Sequence, residues 1–496
     1  MSNQLRQIKV LERIRSWRQL PVGLVITGLM LGLAVVGGMG GEASGDAVAD
    51  DSAESSVETE APDAETSHEA SAADMMRQAE VIATETAALL QTAETAEDWD
   101  RIARQWVEAI ALLQSIPPDN PSRIVAQRQL HSYLQQLQDA QQRAAQASLT
   151  SGGLPSLGSD ILDAQLAGYL SYVATVGTPD VLIVGSSRSL QGIDPQKLQQ
   201  TLAARGYEDL TVFNFSVNGA TAQVVEFIVG QLLPEPLPEV IVWGDGSRAF
   251  NEGRRDRTWE KLLASPGYQQ VTSVPGSLSL AAIEQTDPLA QRVTARSPLV
   301  NIPGNLDALG FSAVSDRFDP QTYYQQTPQV AGRYDGAYAG FSLNGPQADA
   351  LGRIAAIAQA KDAQLLFVNL PLSGSYLDDF RWYYEQQFQQ FLQTQSEAHG
   401  FEVIDLLTQW ENQPGFFADP SHINREGAGA IARQLAQSPK IVDALSTPAA
   451  PASSPMPDLA LPRPSESLSD SVEPDSVEPA PPRRPPPPVP PPPARP

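Results

Sequence analysis

No cysteine occurs anywhere in this chain, which excludes disulfides, thiolate metal sites and a cysteine nucleophile together and leaves the redox compartment open. Positive charge is also scarce: 33 Lys and Arg stand against 58 Asp and Glu, a formal net charge of -25. Such a chain repels phosphate backbones, so nucleic acid is not an expected partner, and it has no uniform attraction for anionic lipid. Histidine is rarer still, with four among 496 residues. His68, His131 and His399 fall in an acidic stretch, on a helical pattern and at a helix end, which leaves His422 as the candidate base.

Charge of either sign is missing from Pro21 to Gly41, where the run includes Val22, Leu24, Val25, Ile26, Leu29, Leu31, Leu33, Val35 and Val36. Its length is close to the ~20 apolar residues that span a bilayer. Arg6, Lys9, Arg13, Arg15 and Arg18 precede it, so residues 1–20 are expected to stay in the cytoplasm and everything after Gly41 to be extracytoplasmic or periplasmic. An uncleaved anchor over residues 21–41 is the first reading. A cleavable signal peptide is the second, supported by small residues near Gly41 and Ala43 and opposed by the long basic segment and long apolar run.

Residues 42–69 have no Lys or Arg and are dominated by Ala, Ser, Thr, Asp and Glu, a composition that reads as a disordered acidic spacer. Residues 446–496 are Pro-rich and read as a disordered tail of polyproline II character, either a stalk or a docking ligand. Between them, residues 70–148 carry two amphipathic stripes: Trp99, Ile102, Ala103, Trp106, Ile110 and Leu113, then Ala126, Leu130, Tyr133, Leu137 and Ala140. Pro117 and Pro118 separate them, and Asn120 before Pro121 is the expected N-cap of the second helix. This helical module either buries its Trp stripe internally or serves a protein partner.

From about residue 149 to 445, short β-type runs alternate with helical patterns. The candidate strands are Asp180–Val184, Leu210–Asn214, Val240–Trp243, Leu365–Asn369 and Glu402–Leu406. Continuous apolar runs such as Val181 to Val184 suit strands buried on both faces, and βα alternation implies right-handed parallel crossovers. The expected fold is α/β: a flavodoxin-like, doubly wound, five-stranded parallel sheet in the order 2-1-3-4-5. Residues from about 250 to 342 are too many for a loop and are expected to be an insertion near the carboxyl edge.

Two features carry chemistry. Gly185-Ser186-Ser187-Arg188 follows the first strand and sets a serine at the carboxyl edge of the sheet. Asp419-Pro420-Ser421-His422 follows the fifth strand, a spacing that lets the carboxylate meet Nδ1 of the imidazole and turn Nε2 toward a nucleophile. Each has a plainer alternative, a turn connection for the first and a helix cap for the second.

The order Ser187, Asp419, His422 resembles the SGNH (GDSL-like) hydrolase superfamily. Its first block is matched by Val184-Gly185-Ser186-Ser187, with Ser186 where the family more often has Asp. Its second is matched by Asn214-Phe215-Ser216-Val217-Asn218-Gly219-Ala220-Thr221. The resemblance implies a nucleophile at Ser187, a base at His422, an orienter at Asp419, and oxyanion amides at Ser187 and Gly219. It departs in the third block, where Gly-x-Asn-Asp is usual and this chain has Gly244-Asp245-Gly246-Ser247-Arg248. The asparagine donor is missing; Ser247 and Arg248 are the candidate replacements, with a surface charge or a pair with Asp245 as alternatives for Arg248. Candidate substrate contacts are Arg188, Asn218 and Arg248, and Arg254, Arg255 and Arg257 form a basic cluster that is either a glycan contact or a solvated helix start.

The Gly-Ser-Ser-Arg pattern with an amino-terminal anchor is similar to membrane-tethered cell-envelope members of the superfamily. That resemblance implies a serine esterase or O-acyltransferase acting on an acylated envelope polymer or glycan, with no metal and no organic cofactor. The rival expectations are a catalytically weak or inactive scaffold that binds envelope polysaccharide or assembly partners, and a structural envelope protein.

Overall fold

A computed structural model of the chain describes residues 64–117, 120–150, 155–207, 209–273 and 306–446. The anchor expected at residues 21–41, the spacer up to residue 63 and the Pro-rich tail from residue 447 lie outside the described residues. Among the described residues no helix is long and apolar enough to cross a membrane.

Among the described residues the helical module comprises Ala64–Leu89, Ala96–Gln114 and Arg123–Thr150. The first begins inside the stretch expected to be spacer. Its buried positions include Ala72 and Ala79, whose small side chains leave little periodic signal in the sequence. The second opens on a capping box: Thr95 Oγ1 accepts from the Asp98 amide at 3.1 Å, and Asp98 Oδ2 accepts from the Thr95 amide at 3.2 Å. Its stripe of Trp99, Ile102, Ala103, Trp106 and Ile110 packs on Leu137, Ala140 and Ala144 of the third helix. Asn120 is not that helix's N-cap: its Oδ1 accepts from the Ser122 amide at 2.9 Å, and Ser122 accepts the first helical bond, from Ala126.

The α/β part opens with the helix Asp160–Thr175, then β1 (Val181–Gly185), β2 (Val212–Ser216), β3 (Val240–Asp245), β4 (Gln364–Asn369) and β5 (Glu402–Asp405). All pairs are parallel and the order is β2-β1-β3-β4-β5, as the sequence implies. Burial on both faces explains why β1 and β3 read as largely apolar runs, whereas β5, at the sheet edge, begins and ends in exposed carboxylates. Leu182, Val184, Phe213, Phe215, Ile241, Trp243 and Phe367 enter one core with Tyr169, Val225, Leu351 and Phe388. Their neighbours Val181, Ile183, Val212, Val240, Val242, Leu366 and Val368 enter the other, with Leu198, Ile431 and Leu435.

The insertion between β3 and the helix Pro346–Ala360 supplies the helices Arg257–Leu263, Pro266–Ser273 and Pro320–Gln326. Its backbone also laces the sheet's carboxyl edge. Leu309 accepts from the Asn214 amide at 2.9 Å, the Ser312 amide donates to Leu190 at 3.1 Å, and the Phe318 amide donates to Phe417 at 2.8 Å.

Polar contacts join the helical module to the sheet domain, among them Gln141 Nε2 donating to Thr175 Oγ1 at 3.0 Å and Ser171 Oγ donating to Asp100 Oδ1 at 2.7 Å. Burial raises the Asp100 carboxyl to about 6, against the opposing effects of that bond and of Arg104. A folded value above the unfolded one means that the folded chain binds the proton more tightly, so this contribution is present in acid and is lost as pH rises through about 6. Asp100→Asn should therefore melt at a higher temperature than the wild type near pH 8 and converge with it near pH 4, which thermal unfolding across that range checks.

Candidate active site

Ser187 opens a short helix, Ser187–Gly192, directly after β1. Two neighbouring strands fix that turn. From β3, Asp245 accepts from the Ser186 amide at 3.0 Å and from Ser186 Oγ at 2.9 Å. From β2, Asn214 Nδ2 donates to the carbonyls of Ser189 and Ile193, at 2.9 and 3.1 Å, and Ser216 Oγ accepts from Ser189 Oγ at 2.8 Å. The turn is thus held by both strands that flank β1, with Ser187 left partly exposed.

Asp419 and His422 stand on a two-stranded antiparallel hairpin, β6 (Phe417–Asp419) and β7 (His422–Ile423), outside the main sheet. Asp419 Oδ1 accepts from the amides of Ser421 and His422 at 2.7 and 2.9 Å, which closes the turn. Its Oδ2 lies 2.7 Å from His422 Nδ1. With the ring proton on Nδ1 donated to Asp419, Nε2 accepts from Ser187 Oγ at 2.9 Å across a sequence separation of 235. Burial works to raise the Asp419 carboxyl, but the His422 hydrogen bond and charge and the two amides outweigh it, and its pKa is lowered.

Gly219 occupies the third position of a turn in which the Ala220 amide donates to Val217 at 3.0 Å. Its φ is +77°, a conformation that favours glycine, and a Cβ there would approach Thr258 Oγ1 to 2.9 Å. The Val217 amide donates to Gly185 at 2.9 Å, so this turn is tied to the serine turn. The Ser187 amide belongs to the first helical turn, whose N–H groups have no intrahelical acceptor. The two amides expected as oxyanion donors thus belong to turns that are bonded to each other.

The structure redirects three other candidates. Ser247 is fully buried and its hydroxyl donates to Glu385 Oε1 at 2.6 Å, so that proton is committed and does not replace the missing asparagine donor. Arg188 is 3% exposed and its Nη2 donates to the carbonyls of Leu370 and Pro371, so it faces the interior and not a substrate. Arg248 does not pair with Asp245, which binds the serine turn; it lies over the Tyr376 ring, 5.5 Å from its centroid, with Nη1 3.3 Å from the Tyr376 hydroxyl. Asn218 is exposed in the Gly219 turn. The basic cluster divides: Arg255 pairs with Glu260 at 2.8 Å, Arg254 Nη1 donates to the Arg248 carbonyl at 3.2 Å, and Arg257 is exposed.

Glu385 and Ser373 escaped the sequence reading. Glu385 is wholly buried on the helix Asp379–His399, and its Oε1 also accepts from the Tyr338 hydroxyl at 2.5 Å. A signal existed, since Arg381, Glu385, Phe388 and Leu392 recur at three- and four-residue steps and place two charges on a buried face. Ser373 donates through both its amide and Oγ to the Pro420 carbonyl, at 3.2 and 2.8 Å. Nothing local in the sequence marks it.

A family model described as DltD protein matches residues 320–437, a stretch that includes Asp419 and His422 but not Ser187. Solved structures with similarity include a lipase/acylhydrolase from Enterococcus faecalis, at 15% identity over 52% of this chain and 95% of that one, with a TM-score of 0.27. Another is a carbohydrate acetylesterase family member from Sinorhizobium meliloti, at 11% identity over 54% of this chain and 98% of that one, with a TM-score of 0.25. No curated protein matches the chain.

Because the folded pKa of Asp419 is depressed, its ionised form stabilises the fold above the ordinary carboxylate range, and that contribution is lost as pH falls through the lowered value. Asp419→Asn should melt below the wild type at neutral pH, with the difference closing in strong acid, as thermal scans from neutral to acid pH would show.

Proposed function

We propose that this chain, an SGNH-type hydrolase by motif order, sheet topology and family match, is a serine-dependent ester hydrolase or O-acyltransferase. The observation that carries the reading is the continuous set of contacts from Asp419 Oδ2 through His422 to Ser187 Oγ, at 2.7 and 2.9 Å. Binding alone calls for no such alignment of hydroxyl, imidazole and carboxylate.

In the reaction, Ser187 Oγ attacks the ester carbonyl carbon as its proton passes to His422 Nε2. Asp419 holds the Nδ1 proton and stabilises the imidazolium. The amides of Ser187 and Gly219 meet the tetrahedral oxyanion. Collapse breaks the bond to the leaving alcohol, which takes the proton from Nε2 and leaves an acyl-serine. Water, or the hydroxyl of an acceptor sugar, then gives its proton to His422 and attacks that ester. The acyl group leaves as an acid or on the acceptor, and Ser187 is regenerated.

The substrate we favour is an acylated cell-envelope polymer or glycan. Arg248, Arg254 and the exposed Arg257 offer cationic donors with no carboxylate ion pair among the described residues, which suits an anionic polymer in an otherwise acidic protein. The uncharged run from Pro21 to Gly41 behind five basic residues supports an anchored, extracytoplasmic placement. Protease added to spheroplasts should then remove the sheet domain, whereas inverted inner-membrane vesicles should protect it; protection in both would refute export.

A fluorophosphonate probe should label the wild-type chain at Ser187 and leave Ser187→Ala unlabelled. On a short acyl ester, Ser187→Ala and His422→Ala should each remove most turnover, and the double variant should lose little more than either, since the groups act as a unit. Should Ser187→Ala fold and keep wild-type turnover, the nucleophile assignment is wrong, and the glycan-binding scaffold becomes the better reading.

A further inference from the structure

The residue after the nucleophile is a buried cation that the reaction does not use. Arg188 is 3% exposed, and its Nε and Nη1 make no hydrogen bond among the described residues. Burying a guanidinium with unpaired donors is costly, and an apolar side chain would pack there more cheaply, so stability alone does not call for it. Its Nη2 does have partners, the consecutive carbonyls of Leu370 and Pro371 just beyond β4.

From that point a line of contacts runs to the other half of the site. Two residues after Pro371, Ser373 grips the Pro420 carbonyl with both its amide and its hydroxyl, at 3.2 and 2.8 Å. Pro420 lies between Asp419 and His422 in the β6–β7 turn. On the near side, the Arg188 amide donates to Ser186 Oγ at 3.3 Å, and Asp245 holds Ser186 and accepts, through its own carbonyl, from the Leu370 amide at 2.9 Å. We propose that Arg188 is a positioning residue whose guanidinium, through residues 370–373, sets the Asp419–His422 hairpin against Ser187. The proposal rests on the esterase reading of the site.

Gly246 provides a second handle on the same atom. A Cβ at residue 246 would fall on Arg188 Nη1, although the glycine's own backbone, at φ −163°, is open to any residue. A side chain there is excluded by the guanidinium and not by the backbone, and accommodating one would drive the guanidinium off its two carbonyls.

The test uses the full chain. Arg188→Met and Ser373→Ala should lower kcat on a short acyl ester roughly 10- to 100-fold while KM moves less than about twofold, the pattern of a misplaced catalytic pair. Arg188→Lys, which keeps the charge but lacks the planar fork, should fall between wild type and Arg188→Met. Gly246→Ala should reproduce the Arg188→Met loss, yet cost nothing further in the Arg188→Met background, where the obstructing atom is gone. The downfield Nδ1 proton of His422 in the ¹H NMR spectrum should be sharp in the wild type and broadened or lost in Arg188→Met and Ser373→Ala. Wild-type kcat and an unchanged His422 proton in both variants would overturn the proposal, as would additive losses from Gly246→Ala and Arg188→Met. If the wild-type chain turns over no ester at all, the esterase reading fails on its own account. The His422 proton then decides the positioning role alone, its loss in the variants supporting it and its persistence overturning it.

Discussion

β1 is paired in parallel on both sides, with β2 and with β3, and this double pairing governs the rest of the site. The chain leaves β1 for one neighbour and later reaches the other, so the loops after these strands diverge and open a crevice at their carboxyl ends. Ser187 follows β1, Gly219 follows β2 and Asp245 ends β3, so register alone brings the three to one edge. Hydrogen bonds then refine what register begins. Asn214 and Ser216 hold the serine helix from one flank, and Asp245 holds Ser186 from the other.

Much of this was legible in the sequence because the signals are local. Runs such as Val181 to Val184 announce strands buried on both faces, and the Asp-x-x-His spacing announces a closed turn. What stayed hidden depends on side chains meeting across long separations. Ser247 reads as a polar residue beside a cleft, yet its proton is taken by Glu385, 138 residues on. Arg188 reads as a substrate contact because it adjoins the nucleophile; its path to Leu370, 182 residues away, is set by tertiary packing. The helix Ala64–Leu89 was missed for another reason. Its buried positions are Ala72, Ala79 and Thr86, and such small side chains leave little hydrophobic periodicity.

The altered third block has its counterpart in the packing. The segment that departs from Gly-x-Asn-Asp runs across a buried polar layer in which Arg188, Glu385, Tyr338 and Asp245 influence one another electrostatically. Burial, then repulsion from Arg248, lowers the Arg188 pKa, while burial raises that of Asp245 against the pull of Arg188. A small residue at position 246 and a serine bonded to Glu385 suit that layer. The segment thus carries no asparagine donor and lines a buried charged layer beside the Ser186–Ser187 turn.

The β6–β7 hairpin is closed by bonds between residues at most three apart, and it lies outside the five-stranded sheet. Acid and imidazole are therefore encoded together in a few neighbouring codons, whereas the hydroxyl they serve is encoded far upstream. A change upstream can thus remove the serine and leave the acid–imidazole pair geometrically intact.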